Sequence, residues 1–90
     1  MTNKEFKIGD IVMVYHNEHS YIRYPIYTLT EDKDFINRYC FGKRAKQYES
    51  YFIVAKFEVE SKTLYAISQN KLKEEIYLVD DRVLINDYVG

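Results

Sequence analysis

The chain has one cysteine, one proline, three glycines and no tryptophan among its 90 residues. A single cysteine excludes an internal disulfide, and glycine at only Gly9, Gly42 and Gly90 excludes a glycine-rich phosphate loop. No apolar run is long enough to span a bilayer. The opening "MTNKEFKIGD" also lacks the basic, apolar and small-residue succession of a signal peptide. We therefore expect a cytoplasmic protein with no membrane role.

Net charge is also low, because 13 Lys and Arg residues nearly balance 14 Asp and Glu residues, which leaves a charge of -1. A protein that binds nucleic acid through many phosphate contacts would carry a basic excess, so any such contact here must be local. Hydrophobic residues make up 47% of the chain, which is enough for a single modest core. One domain spanning residues 1–90 is expected.

Aromatic side chains are abundant, with ten tyrosines and five phenylalanines. Aromatic residues favour strands, and a tyrosine can place its ring in a core while its hydroxyl stays in water. Tyr, Phe, Ile, Lys and Asn are also the residues that AT-rich codons encode. Part of the aromatic excess therefore indicates a low-GC bacterium or one of its phages as the source.

Patterns of period two predict most of the strands. In "YFIVAKFEVE", apolar and charged residues alternate as in a strand with one buried face, and that apolar row is Tyr51, Ile53, Ala55, Phe57 and Val59. Polar residues at 60–62 then predict a β-hairpin into residues 64–67. A Gly-Asp turn precedes residues 11–15, whose continuous apolar run predicts a strand covered on both faces. The closing "EEIYLVDDRVLI" predicts two short strands, or one bent strand, around a turn.

Between these strands the period changes to that of a helix. Thr30 can cap a helix over residues 31–41, whose acidic first turn suits the positive end of the helix dipole. Gly42 would follow as a left-handed residue, and Pro25 confines "YIRYPIYTL" to an edge strand or an extended loop. One apolar face of the helix would carry Phe35, Ile36, Tyr39 and Cys40.

The opening "FKIGDIVMV", the hairpin "YFIVAKFEVESKTLYAIS" and the closing "EEIYLVDDRVLI" together resemble the small SH3-like barrels, in which a Gly-Asp turn feeds the first strand. The resemblance implies a fold that is mainly β: a small SH3-like barrel or a strongly bent antiparallel sheet with one short helix inserted between strands. Residues 17–50 would form an excursion that contains this helix. The resemblance implies no site residues, because the excursion takes the place of the loop that normally shapes the ligand groove.

Patterns that indicate catalysis or metal binding are weak. His16 and His19 have the spacing of a metal pair on a helix, but they follow a strand and have no cysteine partner, so we expect solvated histidines and no metal. Cys40 could be a nucleophile with a histidine as its base, but its apolar neighbours favour a buried, inert thiol. The acidic pairs at 74–75 and 80–81 stand at polar breaks, where carboxylates are expected in solvent. We expect no enzyme activity and no cofactor.

Two segments have the composition of a binding surface. The stretch "YHNEHSYIRYP" combines tyrosines with an arginine, the residue types that most often anchor protein interfaces. The stretch "NRYCFGKRAKQY" mixes cations with aromatic rings, which suits nucleic acid or an acidic protein surface. Alternatively, the tyrosines pack under the excursion, and the cations stabilise a helix end and cover apolar surface with their stems. The candidate partner-binding residues are Tyr21, Arg23, Tyr24, Tyr27, Arg38, Lys43, Arg44 and Lys46.

These observations favour a non-catalytic binding module that acts through protein–protein contact, as an adaptor or an inhibitor that a phage or a mobile element could encode. Two alternatives stay open: a small β-barrel that binds nucleic acid, and an accessory subunit of a larger enzyme. The excursion over residues 17–50 is expected to carry the specific contacts, because binding residues tend to gather on loops held by a rigid sheet.

Overall fold

The computed structural model describes residues 5–15, 24–70 and 74–86, which form a strongly bent antiparallel sheet with one short α-helix. The expected fold class, mainly β with a helix inserted between strands, is confirmed. No helix in the described ranges is long and apolar enough to cross a membrane. The elements are β1 (Ile11–Val14), α1 (Lys33–Arg38), β2 (Ser50–Val59), β3 (Lys62–Ser68), β4 (Ile76–Asp80) and β5 (Leu84–Asn86), with single 3₁₀ turns at Ile26–Thr28 and Asp81–Val83.

The strands lie in the order β4-β3-β2-β1-β5, and each neighbouring pair is antiparallel. The edge strands β4 and β5 are joined directly by the 3₁₀ turn Asp81–Val83, so the chain brings the two edges of the sheet toward each other. β2 pairs with β1 through its first residues and with β3 along most of its length. The sheet therefore curls into half a barrel.

A β-bulge in β2 divides the apolar row that the sequence predicts to share one face. Ile53 pairs with Ile67, but Ala55 pairs with Ala66, so Val54 is an extra residue in the ladder. Successive residues of a strand point to opposite faces, and one extra residue therefore exchanges the two faces. The row before the bulge joins one core and the row after it joins the other, so the prediction of a single buried face was wrong.

The sheet consequently has a core on each face. All residues of β4 are buried, and its side chains contribute to both cores. The half-buried residues of α1 pack against the second core. The buried residues of the first core are Phe6, Val12, Val14, Ala45, Tyr51, Ile53, Tyr65, Ile67, Tyr77, Val79 and Leu84. Those of the second core are Ile26, Ala55, Leu64, Ala66, Ile76 and Leu78.

β1 is covered on one face, not on both as its continuous apolar run predicts. Val12 and Val14 are fully buried in the first core, whereas Ile11 is exposed and Met13 is half-buried. A β-branched residue such as isoleucine favours a strand even where its side chain is exposed to water. The apolar run therefore indicates strand propensity and not burial of both faces. The turn before β1 forms as expected, with Gly9 in the left-handed region at φ 100°.

α1 is shorter than predicted, since it covers six residues rather than 31–41. Its N-cap is Asp32, whose Oδ1 accepts a hydrogen bond from the N–H of Asp34 at 2.9 Å. Thr30, the predicted cap, instead accepts a hydrogen bond from the N–H of Asp32 at 3.0 Å. The helix ends where Tyr39 becomes extended (ψ 130°) and bridges to the start of β4. Pairing with the sheet therefore decides where the helix stops.

The segments on either side of α1 also differ from the prediction. Pro25 leads directly into the 3₁₀ turn Ile26–Thr28, so the described part of "YIRYPIYTL" is neither an edge strand nor an extended loop. Gly42 is left-handed as predicted (φ 81°). It lies, however, in a separate turn that is closed by a hydrogen bond from the N–H of Lys43 to the carbonyl oxygen of Cys40 at 3.1 Å.

Two tyrosines of the first core hold their phenolic protons more tightly than a tyrosine in water does. Burial raises the pKa of Tyr51 and of Tyr77. The pKa of Tyr77 is raised further because its hydroxyl donates a hydrogen bond to Oε1 of Glu75 at 2.9 Å. The two rings meet edge to face with their centroids 6.0 Å apart, so ionisation of either one would place a charge inside the core.

We therefore expect the protein to lose stability as the pH rises above about 10, the ordinary pKa of tyrosine. Above that pH the unfolded chain releases these protons and the folded chain retains them, which favours the unfolded state. The contribution of the two protonated tyrosines to the free energy of unfolding is fully present below about pH 10. It is lost as the pH rises through their raised pKa values in the folded state. Melting temperatures from about pH 8 to about pH 12 should fall less steeply for Tyr77→Phe than for the unsubstituted protein. Parallel declines would contradict this account.

Candidate binding surface

Residues 40–48, called here the crossing segment, run across the first core from β4 to β1. At one end the N–H of Cys40 donates a hydrogen bond to the carbonyl oxygen of Ile76 in β4 at 2.9 Å. At the other end the N–H of Tyr48 donates to the carbonyl oxygen of Val14 in β1 at 2.6 Å. Since β3 and β2 lie between these two strands, the segment is tied to both sides of the curled sheet.

The middle of the crossing segment is fixed as well. Ala45 is fully buried in the first core, and the N–H of Lys46 donates a hydrogen bond to the hydroxyl of Tyr51 at 2.8 Å. Nε2 of Gln47 donates to the carbonyl oxygen of Tyr15 at 2.7 Å. A backbone held at several points fixes where its outward side chains begin, which is one requirement of a preorganised site.

The outer side of the crossing segment is basic and aromatic. Phe41 is 57% exposed and Tyr48 is 64% exposed. No acidic residue occurs from 35 to 48. The exposed cations of the segment are Lys43, Arg44 and Lys46. Exposed large rings beside cations form the kind of patch that marks an interaction site.

A second ring supports each of the two exposed rings. Tyr48 meets Tyr15 with centroids 6.3 Å apart and an interplanar angle of 70°. Phe41 meets Tyr39 with centroids 6.0 Å apart and an interplanar angle of 63°. Tyr39 is itself fixed, because its hydroxyl donates to the carbonyl oxygen of Tyr24 at 2.9 Å. Edge-to-face pairs of this kind stabilise ring positions, so the crossing segment carries a supported ring near each end.

The carboxylates next to the crossing segment are engaged elsewhere. Glu49, which follows it in the chain, accepts a hydrogen bond from Nε2 of Gln69 at 3.0 Å. Glu75, which precedes β4, accepts one from a tyrosine hydroxyl of the first core. Among the described residues, none forms an ion pair with Lys43 or Lys46. The crossing segment therefore presents positive charge to the solvent.

The candidate residues from the sequence fall into separate groups. Tyr21 and Arg23 lie outside the described residues. Tyr24 is half-buried against the second core, and Tyr27 is exposed on the 3₁₀ turn whose Ile26 is buried in that core. Of the basic candidates, Lys43, Arg44 and Lys46 lie on the crossing segment, whereas Arg38 is the last residue of α1, which packs against the second core. The candidate set thus divides between the two faces of the sheet.

Tyr15 belongs to this surface although it was not among the candidates. It follows β1 and is exposed. A signal for this exposure was present, because in period two Tyr15 shares a face with Ile11 and lies opposite the buried Val12 and Val14. Tyr15 was not a candidate because the sequence predicted burial on both faces of β1.

Cys40 does not share a face with the apolar residues of α1. Because the helix ends before it and the backbone is extended from Tyr39, successive side chains point to opposite sides. Tyr39 accordingly packs on the second core, whereas Cys40 is half-buried against the first. The low reactivity of its thiol stays a prediction. His16 and His19 lie outside the described residues.

Asp80 is buried, not solvated as its position at a polar break predicts. Its carboxylate is satisfied by Arg82, whose Nε donates at 2.9 Å and whose Nη2 lies 2.8 Å away. This pair borders an open cavity of about 330 Å³ that Tyr24 and Leu64 also line. Because the carboxylate of Asp80 is already paired with Arg82, it is not available as a free acid or base in this cavity. The described ranges contain no group of three or more His, Cys, Asp or Glu side chains able to hold a metal ion.

Comparison of the chain with protein-family models, with curated proteins and with solved structures gave no match.

Proposed function

We propose that the protein is a non-catalytic binding module, an adaptor or an inhibitor, that contacts an acidic protein surface through the crossing segment. The observation that carries this proposal is the exposed row of Lys43, Arg44 and Lys46 on a backbone tied to both β4 and β1. Cations carried on a fixed backbone steer a partner of opposite charge and favour one orientation. A cytoplasmic location is part of the same proposal.

The exposed rings are expected to supply most of the binding free energy. Charges at the rim of an interface mainly raise the association rate, whereas aromatic and arginine side chains dominate the residues whose truncation costs the most affinity. Phe41 and Tyr48 are exposed and already held against neighbouring rings. Such rings lose little conformational freedom on binding, which lowers the cost of association.

Membership of the SH3-like barrels is likewise a proposal. Its support is the pairing of the last strand with the first in the order β4-β3-β2-β1-β5, together with the Gly9 turn that leads into β1. Pairing of the first and last strands is what brings a meandering sheet toward closure.

The proposed function is tested by affinity capture from the source cell with this protein as bait, in parallel lysates with and without nuclease. We expect the same protein to be captured from both lysates. Its purified form should bind with an affinity that weakens as the salt concentration rises, because salt screens exposed charges. Capture of an enzyme whose activity requires this protein would identify the accessory-subunit alternative. Capture that nuclease abolishes would contradict a direct protein contact.

Single-stranded nucleic acid is a second candidate, favoured by cations interleaved with exposed rings on the crossing segment. If Arg38, Lys43, Arg44 and Lys46 each neutralise a phosphate, the slope of log affinity against log salt should be about -3 on single strands and about -4 on duplex DNA. We expect no such binding, because the chain as a whole carries a net charge of -1 and attracts a polyanion weakly. Titration with fluorescent oligo-dT and with a duplex, starting at low salt, measures this affinity and its salt dependence. A slope near those values would identify nucleic acid, and not a protein, as the partner.

A further inference from the structure

Tyr48 has a backbone conformation that bulky residues rarely adopt. Its φ is 67°, in the left-handed region, where the Cβ atom crowds the following carbonyl oxygen and glycine or asparagine is the usual choice. Elsewhere in the described ranges, the non-glycine residues with positive φ are Glu60 and Ser61, which form the tight loop between β2 and β3. A two-residue hairpin loop requires positive φ, whereas Tyr48 lies in no hairpin loop.

The surrounding contacts hold Tyr48 in this conformation. Its N–H donates a hydrogen bond to the carbonyl oxygen of Val14 at 2.6 Å. Nε2 of Gln47, the residue before it, donates one to the carbonyl oxygen of Tyr15 at 2.7 Å. An asparagine could keep this backbone at lower cost. The ring of Tyr48 is 64% exposed, so burial of the ring does not explain why a tyrosine stands here. Strained residues that are held by their surroundings cluster at binding sites.

We propose that Tyr48, supported by Tyr15, is the aromatic anchor of the binding surface and stacks against an apolar or aromatic side chain in an acidic segment of a protein partner. The inference rests on the proposed function and names the partner's chemistry. The segment must be acidic because Lys43 and Lys46, on the same fixed backbone, form no ion pair with any described residue and require opposite charge beside the anchor.

A tryptophan peptide provides a direct probe, because the chain contains no tryptophan and the emission of the peptide then reports binding alone. The probe is a short capped peptide in which one Trp is flanked on both sides by Asp and Glu. Matched peptides replace the Trp by Ser, or the acidic residues by Ser. The protein variants are Tyr48→Asn, which removes the ring and tolerates positive φ, and Tyr48→Phe, which keeps the ring. The control is Ile8→Asn, since Ile8 is 65% exposed near the opposite end of β1.

We expect the acidic Trp peptide to bind the unsubstituted protein, Tyr48→Phe and Ile8→Asn alike, and each Ser-substituted peptide to bind more weakly. Tyr48→Asn should weaken binding by about tenfold or more without lowering the melting temperature. Unchanged affinity in Tyr48→Asn, or a melting temperature that falls with the affinity, would overturn the inference and leave the proposed function standing. Failure of the peptide to bind, or Tyr48-dependent binding of oligo-dT in its place, would also overturn it. The purified protein captured from the source cell tests the proposed function separately.

Discussion

Tyr65→Ala should destabilise the protein by about 3–5 kcal/mol, the usual cost of deleting a buried aromatic ring. Tyr65 is 1% exposed at the centre of β3. Its ring meets that of Phe6 edge to face with centroids 5.5 Å apart, and its hydroxyl accepts a hydrogen bond from the N–H of Phe6 at 3.2 Å. Because the free energy of unfolding of a native domain is only about 5–15 kcal/mol, this single change should remove a large part of the stability of the protein.

Tyr65→Phe is the matched control, since it keeps the ring and removes the hydroxyl. It leaves the buried N–H of Phe6 without this acceptor, which should cost about 1–3 kcal/mol. Urea unfolding of both variants gives the free energies of unfolding. If Tyr65→Ala costs no more than Tyr65→Phe, the ring of Tyr65 does not organise the first core and the description of that core is wrong.

The elements that the sequence predicts correctly depend on neighbouring residues. The β2–β3 hairpin follows from the alternation before Glu60 and the polar residues of the turn, and β4 and β5 follow from two apolar runs separated by Asp81 and Arg82. In each case the period and the turn chemistry lie within about ten residues of each other, and local signals of this kind are strong. The fold class could therefore be predicted.

The features that make the surface depend on contacts between distant parts of the chain. Val54 forms a bulge because the register with β3 skips it, and α1 stops early because Tyr39 bridges to β4. Ala45 stands between two cations in the sequence, which indicates a solvated loop, yet it is buried in the first core. Tyr48 adopts a positive φ without the glycine that would have signalled it. The basic cluster could be predicted from composition, but the backbone that fixes it could not.

The triple variant Lys43→Glu, Arg44→Glu, Lys46→Glu should lower the affinity for the captured protein partner by about a hundredfold or more, because like charges placed face to face at an interface cost several kcal/mol. The three side chains are exposed, and exposed substitutions usually change stability by less than about 0.5 kcal/mol each. Three such changes total less than about 1.5 kcal/mol, so the melting temperature should shift by less than about 12 °C.

A second triple variant separates local charge from total charge. Lys7→Glu, Lys33→Glu, Lys62→Glu changes the net charge by the same amount, and its three lysines are exposed before β1, on α1 and at the start of β3. None of them lies on the crossing segment. If long-range repulsion alone governed binding, the two triple variants would lose affinity equally.

The most direct test is the dissociation constant of the purified partner for the unsubstituted protein and for each triple variant, measured by calorimetry in one low-salt buffer, with melting temperatures recorded on the same samples. A crossing segment that binds an acidic protein surface predicts that the Lys43, Arg44 and Lys46 triple loses about a hundredfold in affinity while the Lys7, Lys33 and Lys62 triple stays within about threefold of the unsubstituted protein. Equal losses in the two triple variants, or undiminished binding by the first, would contradict the assignment of the crossing segment as the binding surface.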